Sequence, residues 1–120
     1  MSQPIRIKKR KLFIHIAHQG FRVVAGGMVV QFCPNREEVL RIGFTVTKKL
    51  GKAVVRNRIR RRLRELVRTC EPLKELSGLD LVFVGRQSTL NRPYPKLKSD
   101  LAFALKEIKT KQAEAEEKDV

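Results

Sequence analysis

The hydrophobic residues change their period near Gly51, and this change constrains the fold more than any other feature of the sequence. Before it, apolar side chains occupy every second position, at Leu40, Ile42, Phe44 and Val46. This alternation is typical of a β-strand with one buried face. After it, apolar side chains recur every three or four positions, at Val55, Ile59, Leu63, Leu66 and Val67. We therefore expect a strand followed closely by an amphipathic helix, from about Ala53 to Thr69.

The segment before this strand predicts one helix and one hairpin. The helix carries apolar residues on one face, at Leu12, Phe13, Ile16 and Ala17, and Gly20 can end it. Two β-prone runs follow, Phe21–Ala25 and Met28–Cys33, and Gly26-Gly27 between them predicts a tight turn.

The segment after the basic helix predicts one strand and one helix. Leu81 to Val84 is a short apolar run, typical of a strand covered on both sides, and Pro93 and Pro95 mark a loop. The last helix has its apolar stripe at Leu97, Leu101, Ala104, Leu105 and Ile108. The predicted order is α-β-β-β-α-β-α, in one α+β domain over residues 1–109. Residues 110–120 form a charged tail that we expect to be frayed or disordered.

Positive charge is concentrated in one part of the chain. Lys and Arg total 27 against 12 acidic residues, a net charge of +15. Between Arg41 and Arg68, eleven basic residues accompany one acid, Glu65, so +10 of the charge lies there. A solvated helix face is the alternative interpretation, but such faces usually mix signs to form i,i+4 pairs. The clustering favours binding to a phosphate backbone.

The sequence offers no protein-based catalytic centre. His15 and His18 lie three residues apart, but no cysteine or carboxylate nearby completes a metal-ligand set. Asp80 is interpreted as a turn residue and Asp100 as a helix-surface charge, too few carboxylates for a two-metal nuclease. Cys33 and Cys70 are interpreted as small buried residues.

The sequence also predicts where the protein works. No apolar run approaches the roughly 20 residues that span a bilayer, and the N-terminus lacks the apolar stretch of a secretory signal. Two widely spaced cysteines suit a reducing compartment. We expect a cytoplasmic protein.

One stretch resembles a known family. Residues 41–64 read RIGFTVTKKLGKAVVRNRIRRRLR, which is similar to the signature of the bacterial ribonuclease P protein subunit. The basic lead into Phe13 and Gly20 resembles the family's first helix, and GLDLVFVGR at residues 78–86 resembles its last strand. The resemblance covers about residues 6–109.

The resemblance implies a fold and a function. The fold is a four-stranded mixed sheet with three helices, like the second domain of ribosomal protein S5, and its basic helix makes a left-handed β-α-β crossover. Such crossovers are right-handed in about 98% of cases, so the sequence pattern itself would not predict this hand. The enzyme removes the 5′ leader of precursor tRNA, and its large RNA performs the hydrolysis with Mg²⁺ held mainly by that RNA. The protein would bind this RNA and the leader and broaden the range of substrates, without catalytic residues or a metal of its own, and with no membrane or DNA partner.

The resemblance also implies which residues contact the catalytic RNA. They are the bases and the asparagine of the motif and its continuation: Lys48, Lys49, Lys52, Arg56, Asn57, Arg58, Arg60, Arg61, Arg62, Arg64 and Arg68. Arg60 stands where the family often has Lys. The planar, forked guanidinium of arginine thus replaces the point charge of a lysine ammonium. Asn57 can bond a phosphate or sugar, and the alternative is a local backbone bond near the helix start.

The leader is expected in a cleft between the first helix and the sheet, formed by Phe13, Gln31, Arg41 and Thr45. Phe13 would stack on an unpaired base, or else serve as a core residue at helix spacing. Ala17 and Gln31 stand where relatives have aromatic residues, which predicts weaker or displaced stacking here. A small ribosomal or RNA-chaperone protein remains the alternative function, since charge and size fit both.

Overall fold

A computed structural model describes the backbone of residues 4–118 and the side chains of residues 4–114. The strands are β1 (Ile5–Arg6), β2 (Phe21–Ala25), β3 (Met28–Pro34), β4 (Leu40–Thr45) and β5 (Leu79–Gly85). They form one mixed sheet in the order β1-β4-β5-β3-β2. β4 runs parallel to both β1 and β5, whereas β3 runs antiparallel to β5 and β2.

Five α-helices accompany the sheet in the described part of the chain: α1 (Arg10–Gln19), α2 (Ala53–Arg68), α3 (Glu71–Lys74), α4 (Gln87–Asn91) and α5 (Tyr94–Lys118). A 3₁₀ turn, Lys48–Leu50, leads into α2. The bounds of α2 agree with the predicted range to one residue because its apolar stripe has a clear helical period.

The sheet carries a hydrophobic core on each face. The larger core lies between the sheet and helices α2 and α5, with Phe32, Phe83, Ile59, Leu63, Leu101 and Ile108 among its buried residues. The smaller core lies under α1, where Ile16 packs with Ile7 and Val82. Leu81 belongs to the first core and Val82 to the second, so β5 is covered on both sides as predicted.

The predicted hairpin is confirmed, and its turn depends on glycine. β2 pairs with β3 from Phe21↔Phe32 to Ala25↔Met28, which leaves Gly26 and Gly27 as the two-residue loop. Gly26 has φ of 48°, in the left-handed region that residues with a side chain rarely adopt.

The sheet has five strands, so the predicted count of four is wrong by one. The additional strand, β1, is two residues long and pairs with β4 through Ile5↔Arg41 and Arg6↔Ile42. Two residues cannot show a hydrophobic period, so no local pattern marks this strand.

The helices also differ from the prediction in number and extent. Two short helices, α3 and α4, occupy segments that the sequence pattern left irregular. Pro95 lies in the first turn of α5 rather than in a loop, because proline loses no hydrogen bond at that position. α5 continues without a break across residue 109 to Lys118, beyond the boundary placed there. Asp119 and Val120 lie outside the described residues.

The basic helix connects two adjacent strands. α2 follows β4 and precedes β5, and these strands are parallel neighbours from Leu40↔Leu79 to Thr45↔Val84. The mixed α+β architecture and the position of this crossover are therefore confirmed, while its left-handed sense stays a prediction.

Candidate RNA interface

α2 presents one cationic face to solvent. Ile59, Leu63, Leu66 and Val67 bury the opposite side of the helix against the sheet. The exposed side chains of the helix and its lead-in include Lys48, Lys49, Lys52, Asn57, Arg58, Arg61, Arg64 and Arg68, with Arg56 and Arg60 half-buried. Helical spacing places five of the eleven predicted RNA-contacting residues along one recess, namely Asn57, Arg60, Arg61, Arg64 and Arg68, and Lys48, Lys49 and Lys52 lie in the lead-in to the helix.

Hydrogen bonds within α2 orient this surface. Arg60 donates from Nη1 to Oδ1 of Asn57 at 2.8 Å, and Arg56 donates from Nε to the Gly51 carbonyl at 3.2 Å. Asn57 thus uses its carbonyl oxygen on a neighbouring arginine rather than on the backbone. A recess of about 420 Å³ lies along the same face, lined by Asn57, Arg60, Arg61 and Arg64 among others.

Positive charges crowd one another around Arg64. Partial burial lowers the pKa of Arg64, and the nearby charges of Arg6 and Arg60 lower it further. The one acidic residue of α2 is Glu65, and its carboxylate is paired with Arg68 at 2.6 Å. The face is therefore left with uncompensated positive charge that a polyanion can neutralise.

Arg62 is the exception among the predicted RNA contacts. Its Nη1 donates to the carbonyl oxygens of Thr89 and Leu90, both at 2.8 Å, and its guanidinium lies 5.9 Å from the Tyr94 ring centroid. These partners belong to α4 and the start of α5, so one nitrogen of Arg62, Nη1, donates inside the protein. Its position was visible in the sequence, since residue 62 lies three after Ile59 and four before Leu66, beside the buried stripe.

The four residues predicted for the leader cleft share the other face of the sheet. Phe13 of α1 lies over Gly43, where a Cβ would come within 2.6 Å of its ring. Thr45 and Arg41 stand two positions either side of Gly43, and alternation along β4 turns all three toward α1. Gln31 pairs with Val82, which pairs in turn with Gly43. Gln31 therefore lies two strands away from Gly43, a distance of roughly 10 Å. Phe13 is half-buried, so it both packs and keeps part of its ring open.

Arg41 is held in place by Asp80, and the prediction of a turn residue at this position is wrong. Asp80 is in β5 rather than in a turn, it is 3% exposed, and it accepts from Nε and Nη2 of Arg41 at 2.6 and 2.8 Å. Asn35 donates to the same carboxylate at 2.8 Å. The hydrogen bond from Arg41 to Asp80 raises the pKa of that guanidinium above its ordinary value. Arg41 thus has a fixed orientation on the α1 side of the sheet.

Asp100 is also buried rather than on the surface. It accepts a hydrogen bond from the Gly27 N–H at 2.9 Å and pairs with Arg92 at 2.6 Å. Thr89 donates its hydroxyl to the Gly27 carbonyl. The β2–β3 turn is thereby bound to α4 and α5, and both mid-chain aspartates serve the fold.

The remaining candidate groups are the two histidines and the two cysteines. His15 and His18 are exposed on α1, and no three potential metal ligands gather anywhere in residues 4–114. Cys33 and Cys70 are free thiols and half-buried, less enclosed than predicted. No helix within the described segment is both long and apolar enough to cross a bilayer.

Comparison with known proteins identifies the family. A family model described as Ribonuclease P matches residues 1–109. The chain belongs to the ribonuclease P protein family. The ribonuclease P protein component of Gluconacetobacter diazotrophicus is 46% identical over 110 residues, covering 91% of this chain and 95% of the relative. That of Paramagnetospirillum magneticum is 44% identical over 119 residues, covering 92% of this chain and 90% of the relative.

Solved structures of the family agree with the fold. The RNase P protein of Staphylococcus aureus superposes with a TM-score of 0.74 at 32% identity, covering 89% of this chain and 97% of that one. The RNase P protein from Thermotoga maritima superposes with a TM-score of 0.73 at 28% identity, covering 85% of this chain and 96% of that one. The resemblance seen in residues 41–64 is therefore confirmed. The family supplies the protein subunit of the endoribonuclease that processes the 5′ end of tRNA, which decides against the ribosomal or chaperone alternative.

Proposed function

We propose that this chain binds the catalytic RNA of ribonuclease P through the cationic face of α2, and the 5′ leader of precursor tRNA across the sheet at Phe13, Gln31, Arg41 and Thr45. The observation that supports this proposal is that the sheet separates the two surfaces. The cationic helix packs on one face, while the half-open ring of Phe13 and the oriented Arg41 lie on the other. One subunit can therefore contact two RNAs at once.

The chemistry of each surface suits its RNA. The α2 face offers many guanidinium forks for the phosphates of a folded RNA. The α1 face offers one partly open aromatic ring and a few polar groups, which suits a leader whose sequence varies between tRNAs. We assign the hydrolysis to the RNA subunit and Mg²⁺ mainly to that RNA, since the described residues supply no carboxylate cluster for it. We place the protein in the cytoplasm, where free thiols such as Cys33 and Cys70 persist.

The deciding experiment is cleavage of precursor tRNA at near-physiological Mg²⁺ by the protein alone, by the cognate RNA alone, and by both. We expect efficient cleavage only from the combination. If the protein does not change the rate of the RNA, the proposed role is wrong. Cleavage by the protein alone would contradict the assignment of the chemistry to RNA.

Phe13→Ala is expected to weaken binding of leader-bearing precursor tRNA while binding of mature tRNA stays unchanged. Stacking on an unpaired base contributes about 1–3 kcal/mol, and the half-buried ring places the loss near the lower end, roughly fivefold in affinity. Ile14→Ala is the matched control, because Ile14 lies next to Phe13 on α1 and is 47% exposed. Equal losses for precursor and mature tRNA would show that Phe13 acts only in the core.

A further inference from the structure

A second groove lies on the α2 side of the sheet, away from the proposed leader cleft. It is about 520 Å³ in volume and runs between the short edge strand β1 and α2. This volume falls within the range of about 300–1,000 Å³ that is usual for small-ligand sites. The groove shares Arg64 and Arg68 with the recess along the outer face of α2, so the two form one continuous surface.

The floor of the groove is apolar and partly aromatic. Ile42, Phe44 and Val67 line it, and the edge residue Ile5, which pairs with Arg41 and so turns its side chain toward the α1 side, borders it. Phe44 is half-buried, and its ring is stacked on the buried ring of Phe83 with a centroid distance of 5.9 Å. This stacking fixes the orientation of the Phe44 ring in the groove.

The walls of the groove carry positive charge. The guanidinium carbons of Arg6 and Arg64 each lie 6.0 Å from the Phe44 ring centroid. Within residues 4–114 neither arginine pairs with a carboxylate, whereas Arg68 and Lys74 at the rim pair with Glu65 and Glu71. Two neighbouring cations without a counter-charge repel each other, and an anion between them would relieve that repulsion.

We propose that this groove binds one unpaired nucleotide of the catalytic RNA, with its phosphate between Arg6 and Arg64 and its base against Phe44 and Val67. The combination indicates the ligand class, because cations without a counter-charge in residues 4–114 line the walls and apolar side chains line the floor. A base inside a duplex is stacked between its neighbours and cannot reach the floor, so the nucleotide comes from a bulge, loop or end. The inference rests on the proposed function for the identity of the RNA.

The first test is an NMR titration of the full chain with pentauridylate and, separately, with a short RNA duplex. The methyl groups report which face is occupied, since Ile42 and Val67 line the groove and Val24 and Val84 lie on the opposite face. We expect the single strand, but not the duplex, to shift Ile42 and Val67. Shifts confined to Val24 and Val84 would overturn the proposal.

The second test uses variants in the assembled enzyme. Arg6→Gln and Phe44→Leu are expected to weaken assembly with the catalytic RNA about fivefold, with a decrease of roughly 0.7 in the salt slope for Arg6→Gln, as for one lost single-strand phosphate contact. Arg6→Lys should restore most of the affinity. Lys109→Gln, an exposed change on α5, is the matched control. The preference for precursor over mature tRNA should stay unchanged in all four variants.

The outcomes separate the two proposals. If Arg6→Gln and Phe44→Leu assemble as tightly as Lys109→Gln while the unmodified chain still activates cleavage, the groove proposal fails and the proposed function stands. If the unmodified chain does not activate cleavage, the proposed function itself fails. Arg6 lies on an exposed two-residue strand, so its variant is expected to fold even if Phe44→Leu does not.

Discussion

Asp80 fixes the conformation of an arginine at the proposed leader cleft. Its side chain is 4% exposed, and its two oxygens accept both donors of the Arg41 fork and the amide of Asn35. A carboxylate this deeply buried is stable only with such partners, because desolvation of a lone charge costs several kcal/mol. The pair thus supports the sheet and aims Arg41 at the same time.

Asp80→Asn is expected to lower the free energy of unfolding by about 2–3 kcal/mol, since it keeps the side-chain volume but removes the charge that Arg41 pairs with. Urea denaturation measures this loss. Glu71→Gln is the control, because its pair with Lys74 at 3.3 Å is exposed and should be worth less than about 0.5 kcal/mol. Equal stability of the two variants would show that the buried pair contributes nothing.

The thiol of Cys33 is expected to make the stability of the fold depend on pH. Burial raises the pKa of its thiol above the ordinary value of 9.0, and the charge of Asp80 raises it further. Folding therefore favours the neutral thiol, so its contribution to stability is complete below pH 9.0 and is lost as the pH rises further. In a Cys70→Ala background, the rate of alkylation by iodoacetamide should reach its midpoint above pH 9.0. A midpoint at or below that value would contradict the assignment.

At the scale of the element, α2 has a structural side and a binding side that its composition does not distinguish. Arg61 and Arg62 are adjacent in the sequence, but successive helix positions point about 100° apart. Arg61 is exposed, whereas Arg62 holds the carbonyl oxygens at the end of α4.

Arg62→Ala is therefore expected to destabilise the fold by about 1.5–3 kcal/mol, because two partly buried carbonyl groups lose a charged donor. Arg61→Ala should change the unfolding free energy by less than about 0.5 kcal/mol. Urea midpoints of the two variants measured side by side test this. Identical midpoints would show that Arg62 is not a structural residue.

Elements with a clear period were predictable, and the contacts between them were not. The stripes of α2 and of β4 mark their own structure because each repeats over several residues. β1 could not be predicted, since its two residues are held by pairing with β4 far along the chain. Asp80 and Asp100 were misjudged for the same reason, because their partners Arg41 and Gly27 are brought near only by the sheet and by α5. Arg62 could have been assigned from its place beside the buried stripe.

At the scale of the whole molecule, the sheet divides the two proposed RNA surfaces. Residues on the α2 face should therefore contribute to the salt dependence of affinity for the catalytic RNA. Residues whose side chains bind inside the fold should contribute hardly at all.

Arg61→Ala should lower the slope of log affinity against log salt by about 0.7–0.9, as expected for one lost phosphate contact. Arg62→Ala, compared under conditions where it is folded, should keep the slope of the unmodified chain. Titrations at several salt concentrations measure both. An unchanged slope for Arg61→Ala would contradict its assignment to the RNA surface.

The place of β5 at the centre of the sheet also has a consequence for synthesis. It is the last of the five strands in the chain, yet β3 and β4 join one sheet only when it lies between them. A growing chain consequently makes α2 before the strand that completes its core, and long-range pairing of this kind folds slowly. The most basic segment of the protein thus leaves the ribosome without a finished fold behind it, beside the large RNAs of the ribosome itself.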